Sequence, residues 1–131
     1  MRLQENYERV SQYYALTIDW IRMVQRERSI KDYLDKWNYK KVCVYGLSDV
    51  GYRLYDELKD SGIEIVCMID KNAFGKFEDT DILNLSQPIP ECDLIIVTPV
   101  YYINEIEIDL RDKVSCPIVA LDDLIAEINM S

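Results

Sequence analysis

The stretch Val42-Cys43-Val44-Tyr45-Gly46-Leu47-Ser48-Asp49-Val50-Gly51 leaves the chain few ways to fold. Val42 to Tyr45 are apolar at every position, as a central parallel strand buried on both faces requires. Gly46 permits a tight turn, and Val50, Leu54 and Leu58 then recur at the spacing of a helix stripe. A second apolar run, Ile63–Ile69, ends at Asp70, 24 residues after Gly46. Strand, glycine turn, helix, strand and acid make the outline of a βαβ unit of the dinucleotide-binding kind. In the full pattern G-x-G-x-x-G, Gly46 and Gly51 hold the outer positions and Ser48 stands in place of the middle glycine.

The rest of the chain from residue 41 continues the alternation. Gly62 is the expected left-handed cap of the first helix. Residues 71–80 read as a polar loop containing Gly75, and Asp81–Leu85 as a short third strand at an edge. Gln87-Pro88-Ile89-Pro90 excludes a regular helix, so the crossover there is short. Leu94–Val97 is a wholly apolar fourth strand. Thr98-Pro99 reads as a helix entrance, a hydroxyl cap followed by proline in the first turn. Ile103, Ile106, Leu110 and Val114 mark the helix that follows. Pro117–Ala120 is the fifth strand, and Leu121, Leu124, Ile125 and Ile128 belong to a closing helix. Right-handed crossovers arrange five parallel strands in the order 3-2-1-4-5, with helices on both faces: an α/β domain over 41–131.

Residues 1–40 form a helical extension. Leu3, Tyr7, Val10, Tyr14, Thr17, Ile21 and Val24 alternate steps of four and three, the a/d spacing of a heptad, within a helix expected over 3–27. A second stripe, Tyr13, Leu16, Trp20 and Met23, widens the apolar face. At 1.5 Å per residue the helix would run about 37 Å, long for one small domain to cover by itself. Either it packs across its own domain or part of it pairs with a second copy; a homodimer through this helix is the expectation. Ser29-Ile30-Lys31-Asp32 starts a short helix that stops near Asn38.

Charge and cysteine content exclude several functions. Residues 1–40 carry +2 and residues 41–131 carry −11, within a net −9. A domain so acidic repels a polyanionic duplex, so nucleic acid is not an expected partner. Cys43, Cys67, Cys92 and Cys116 lie 24, 25 and 24 residues apart, one in or before each main strand, with no C-x-x-C pair. They read as reduced, mostly buried thiols rather than ligands of a metal. The longest strongly apolar run, Leu94–Val97, is far short of a membrane span, so the expected setting is the cytoplasm, off the membrane.

A ligand of such a sheet sits beyond the carboxyl ends of the first and fourth strands. Gly46, Leu47, Ser48, Asp49, Val50 and Gly51 come from the first turn, Asp70 from the second strand, and Thr98 and Tyr101 from the fourth. The helix starting near Val50 would point free N–H groups into that crevice. Ser48 could bond a phosphate, while Asp49 opposes an anion unless it turns away. Asp70 could accept from both hydroxyls of an adenosine ribose, or cap the turn after it. Tyr101 and Tyr102 could stack on a base, or simply pack. The 131 residues contain no histidine, no Ser–His–Asp set and no Walker loop, so a catalytic set is not expected and the chain is not read as an enzyme on its own.

From Lys41 onward, Val-Cys-Val-Tyr-Gly-Leu-Ser-Asp-Val-Gly-Tyr-Arg-Leu-Tyr-Asp-Glu-Leu, then Val-Cys-Met-Ile-Asp-Lys-Asn, then Asp-Leu-Ile-Ile-Val-Thr-Pro resembles the small Rossmann-like domains of bacterial surface-polysaccharide gene clusters. These are similar to the front domain of bacterial sugar acetyltransferases and to the soluble domain of polyprenyl-phosphate sugar transferases. The resemblance implies a Rossmann-like fold and NAD or UDP-sugar binding at Gly46, Ser48, Gly51 and Asp70. It implies an accessory, non-catalytic role in polysaccharide or nucleotide-sugar metabolism. The alternative is an interaction module with a vestigial pocket that dimerises or recruits a partner through its N-terminal helix.

Overall fold

A computed structural model describes residues 2–131. Two helices, α1 (Arg2–Gln25) and α2 (Ile30–Lys36), precede β1 (Lys41–Tyr45), α3 (Asp49–Leu58) and β2 (Glu64–Ile69). A hairpin of β3 (Gly75–Phe77) and β4 (Thr80–Leu83) follows, then β5 (Leu94–Val97), α4 (Ile103–Leu110), β6 (Ile118–Ala120) and α5 (Leu121–Met130). The result is an α/β fold with one six-stranded sheet, ordered β3-β4-β2-β1-β5-β6.

The expected five-stranded, all-parallel sheet in the order 3-2-1-4-5 is therefore corrected. Five strands run parallel, but β3 adds an antiparallel edge beyond β4. Part of the segment read as a loop over 71–80 is that strand. Its two-residue turn, Glu78-Asp79, lacks the Asn-Gly or Asp-Gly signature, yet Glu78 adopts the positive φ of +53° that a tight turn uses. Packing supplies what the turn chemistry lacks. Phe77 sits between Tyr52 and Tyr55 of α3, with ring centroids 4.8 and 5.0 Å away.

Side-chain alternation divides the sheet into two cores. Val42, Val44, Met68, Leu94 and Ile96 face α2, α3 and α5, whose Leu34, Leu54, Leu58, Leu124 and Ile125 are fully or almost fully buried. Cys43, Tyr45, Cys67, Ile69, Ile95 and Val97 face the other way, under Ile106 and Leu110 of α4. Leu85 and Ile89 from the irregular crossover help cover that side.

Both N-terminal helices end on the same hydrogen-bond pattern. After α1, Glu27 N donates to the Val24 carbonyl (2.9 Å) and Arg28 N to the Met23 carbonyl (3.1 Å). After α2, Asn38 N reaches Asp35 O (3.1 Å) and Tyr39 N reaches Leu34 O (2.8 Å). These are Schellman motifs, with Glu27 (φ +58°) and Asn38 (φ +60°) in the left-handed position. The motif stops α1 at Gln25, two residues short of the expected 27. At the start of α2, Ser29 Oγ accepts from Asp32 N at 3.1 Å, the cap its sequence suggests. Gly62 is not the cap of α3. That helix ends at Leu58 with Lys59 as its cap, and Gly62 (φ +93°) turns the chain later, just before β2.

α1 runs parallel to α5. Gln12 Nε2 donates to Asp122 Oδ2 (3.1 Å) at the start of α5, and Asn129 Nδ2 donates to Asp19 O (3.0 Å) near its end. Arg26 and Arg28 donate to the last-turn carbonyls of Asn129 (3.1 Å) and Ile128 (2.8 Å), capping α5 at its negative end. Because α5 begins level with Gln12, the first two to three turns of α1 extend past it. That overhang touches the body of the domain where the Tyr101 hydroxyl donates to Glu8 Oε2 at 3.3 Å.

Gly51 is fixed by close packing. A Cβ there would collide with the carbonyl oxygen of Gly46. Alanine in a helix interior ordinarily gains about 1 kcal/mol over glycine. Here the collision outweighs it, and Gly51→Ala is expected to lose about 2 kcal/mol net in urea unfolding, overpacking costing about 1–3 kcal/mol. An unchanged or raised stability would show that the contact yields freely.

Candidate functional site

The loop after β1 carries most of the residues that the sequence nominates. Gly46 takes φ +113°, a conformation costly for any side chain, and a Cβ there would strike Thr98 Oγ1 and come within 2.8 Å of Pro99 Cδ. Gly51 approaches Gly46 from the helix side. The two outer glycines of the pattern are thus consumed by contacts among the loop, α3 and the end of β5.

Thr98 ties the loop down. It is fully buried, its Oγ1 donates to the Tyr45 carbonyl at 2.8 Å, and its backbone N–H donates to the same oxygen at 2.9 Å. It does not cap a helix, as its place before Pro99 suggested. The chain instead enters a 3-10 turn at Val100–Tyr102, and α4 begins only at Ile103. Pro99 takes the cap position of that turn instead of its first turn, and the Thr98 hydroxyl is spent on β1.

Asp70 faces its own loop. One carboxylate oxygen accepts from Leu47 N (3.2 Å) and the other from Asn72 N (2.9 Å). Of the two roles open to it, this is the turn-capping one, extended across to the glycine loop. The Leu47 N–H, one of the few donors an anion could use there, is taken by a carboxylate. Leu47's side chain packs into the core.

The remaining nominated residues point elsewhere. Ser48 is exposed and is the N-cap of α3, with its hydroxyl making no cap bond. Asp49 occupies the first turn of α3, where its charge offsets the helix dipole that an anion would need. Asp49 and Val50 line a groove against α1 rather than the crevice. Tyr101 meets α1 through Glu8 and packs edge-on to Tyr102, with centroids 5.2 Å apart. Gly46, Leu47, Gly51, Asp70 and Thr98 come together; Ser48, Asp49, Val50 and Tyr101 do not join them around one space.

One group that the sequence did not nominate stands out. The Tyr45 hydroxyl is buried with no hydrogen-bond partner, on the α4 side of the same strand end. Burial first, then the carboxylates of Asp109 and Asp70, push its pKa up to about 12. Lys71, next to Asp70, pairs with Asp109 of α4 at 3.2 Å. Tyr45 reads in sequence as one more apolar strand residue, and nothing short of the fold separates its hydroxyl from partners.

The regular cysteine spacing becomes a row across the sheet. Cys43 and Cys67 are register partners on β1 and β2, with Sγ atoms 3.3 Å apart. Cys92 and Cys116 stand 3.6 Å apart just ahead of β5 and β6. All four are free thiols, and Cys116 alone is more than marginally exposed. The hydrogen bond with Cys67 pushes Cys43 up to about 12; burial does the same for Cys116, and Cys92 is raised by its bond with Cys43. Protonated thiols are poor nucleophiles and poor ligands. Among the described residues no set of three or more Cys, Asp or Glu side chains is grouped to hold a metal ion.

Comparisons of the chain with protein-family models, with curated proteins and with solved structures returned no match. Among the described residues no helix is long and apolar enough to cross a membrane.

Two measurements check this geometry. Tyr45→Phe removes an unpartnered hydroxyl, so stability should stay level or rise by up to about 1 kcal/mol in urea unfolding. A loss above about 1 kcal/mol would mean that something satisfies the hydroxyl in solution. An aromatic disulfide reagent on the native protein should label Cys116 first and slowly, with Cys43 and Cys67 reacting only after unfolding. Rapid labelling of Cys43 would contradict the raised thiol pKa.

Proposed function

We propose that the chain is a non-catalytic interaction module that works as a homodimer through the outer face of α1, with its glycine loop serving the fold. The observation that carries this reading is the exposure of the heptad stripe. Leu3 is 86% exposed, Tyr7 73%, Val10 61%, Tyr14 69% and Val24 57%. The second stripe, one residue or about 100° around the helix, is the one that packs inward: Leu16 and Met23 are buried and Tyr13 and Trp20 half-buried. With Ile18 at 39% and Ile21 at 48%, the outer stripe is an exposed apolar strip along the length of α1, and a standard interface takes about 800 Å² from each partner. A monomer's largest apolar patch is typically about 300–600 Å².

A nucleotide at the crevice, NAD or a UDP-sugar, is the second reading. Its support is the strand–turn–helix order, Asp70 at the end of β2, the unpartnered Tyr45 hydroxyl and the resemblance to Rossmann-like polysaccharide-cluster domains. Against it stand the capture of Leu47 N–H by Asp70 and the filling of both glycine positions by protein atoms. In that reading the chain would be an accessory nucleotide-binding protein of surface-polysaccharide metabolism.

Light scattering at tens of micromolar should give twice the chain mass of 15.4 kDa. The exposed double variant Tyr7→Glu/Tyr14→Glu should keep its fold and raise the dimer dissociation constant at least ~100-fold, equivalent to about 2.7 kcal/mol. A monomeric wild type would sink the homodimer. Calorimetric titration with NAD and with UDP-glucose should give no binding heat. Saturable binding that Asp70→Asn abolishes would restore the nucleotide reading.

A further inference from the structure

Resting on the homodimer reading, we infer that the two copies of α1 pair antiparallel, so that the overhanging start of each helix fills an apolar groove on the other copy. The groove lies between the second half of α1 and the start of α3 and has a volume of about 510 Å³. Trp20, Ile21 and Val24 form one wall, and Val50 with the Arg53 stem forms the other. Several of its polar groups are already engaged. Trp20 Nε1 donates to Glu57 Oε1 at 2.9 Å, Ile30 N donates to Glu57 Oε2 at 3.3 Å, and Arg53 pairs with Asp56 at 3.0 Å. Apart from Gln25 and Asp49, which also line it, what remains open is apolar, and it is continuous with the exposed stripe, because Ile21 and Val24 belong to both.

The two halves of α1 are unlike. The second half lies between α5 and α3 and borders the groove. The first half extends past α5 and meets the Val100–Tyr102 turn through Tyr101, yet it carries the most exposed large side chains of the stripe, Leu3 and Tyr7. A parallel pair would set overhang against overhang and leave both grooves empty. An antiparallel pair lays each overhang on the partner's second half. Leu3 and Tyr7 are then delivered to Ile21, Val24 and Val50, twice over by the two-fold axis. Opposed helix dipoles favour the same arrangement. The partner's side chains then lie against Asp49 and Val50, the first turn of α3, so the interface reaches the edge of the glycine loop.

The test is the double variant Leu3→Cys/Val24→Cys, treated with a short bis-maleimide and read by peptide mapping, with the wild type as control for the native thiols. Both positions are exposed, so the fold is kept. The two positions stand about 30 Å apart along one helix, so a 3-to-24 link must join two copies. Links between positions 3 and 24 are expected, and they should be lost when Tyr7→Glu/Tyr14→Glu is added. Links joining 3 to 3 and 24 to 24 would show a parallel pair and overturn the arrangement while leaving the dimer standing. A monomeric mass would remove the dimer itself and the arrangement with it.

Discussion

The carbonyl oxygen of Tyr45 and the carbonyl of Gly46 hold the centre of this domain together. Thr98 donates twice to the first, from Oγ1 and from its backbone. The helix start at Gly51 presses on the second with no room for a Cβ. Through these contacts β1, α3 and the end of β5 meet within one turn of chain. The Gly46 N–H is bound in turn by Ile69 O at 2.8 Å, and Leu47 N–H by Asp70. Every element around the switch between β1 and β5 is therefore fixed by backbone groups that have found partners inside the protein. A buried carbonyl left without them would cost about 1–3 kcal/mol. The same closure takes up the Gly46 and Leu47 N–H groups and the space beside both glycines.

Placement of α1 follows from a different constraint, the difference between two apolar stripes on one helix. Only one of two stripes about 100° apart can face a flat layer of helices, and the inner one is chosen by fit. Leu16 and Met23 reach the cleft made by α5, α2 and the loop, and the arginines after α1 close the open end of α5. The outer stripe is left facing solvent over the whole length of the helix. Charged side chains flank it, and Tyr7 and Tyr14 stand largely exposed on it.

Some of this was legible in the residues. The βαβ outline, five parallel strands, a long first helix and the cap at Ser29 follow from periodicity, apolar runs and local hydrogen bonding. The edge strand β3 was not, because its turn carries Glu78-Asp79 and its register is held by Phe77 against Tyr52 and Tyr55 of α3, more than 20 residues earlier. Thr98 was misassigned to the helix after it, because a hydroxyl before proline is locally an ideal cap. Only the parallel neighbour β1 offers it a better acceptor. Of the nominated site, the positions of Gly46 and Gly51 were readable, and their reasons were not.

The sequence by itself determined the period of each segment, and hence which side chains share a face: residues i and i+2 on a strand, or i, i+4 and i+7 on a helix, lie together whatever surrounds them. That is why both stripes of α1 are legible in the residues alone. Only the tertiary structure decided which stripe is buried, which carboxylate oxygen meets which N–H, and that four evenly spaced thiols form a row across one face of the sheet. Those outcomes depend on contacts between segments tens of residues apart, where local pattern carries no information about the partner.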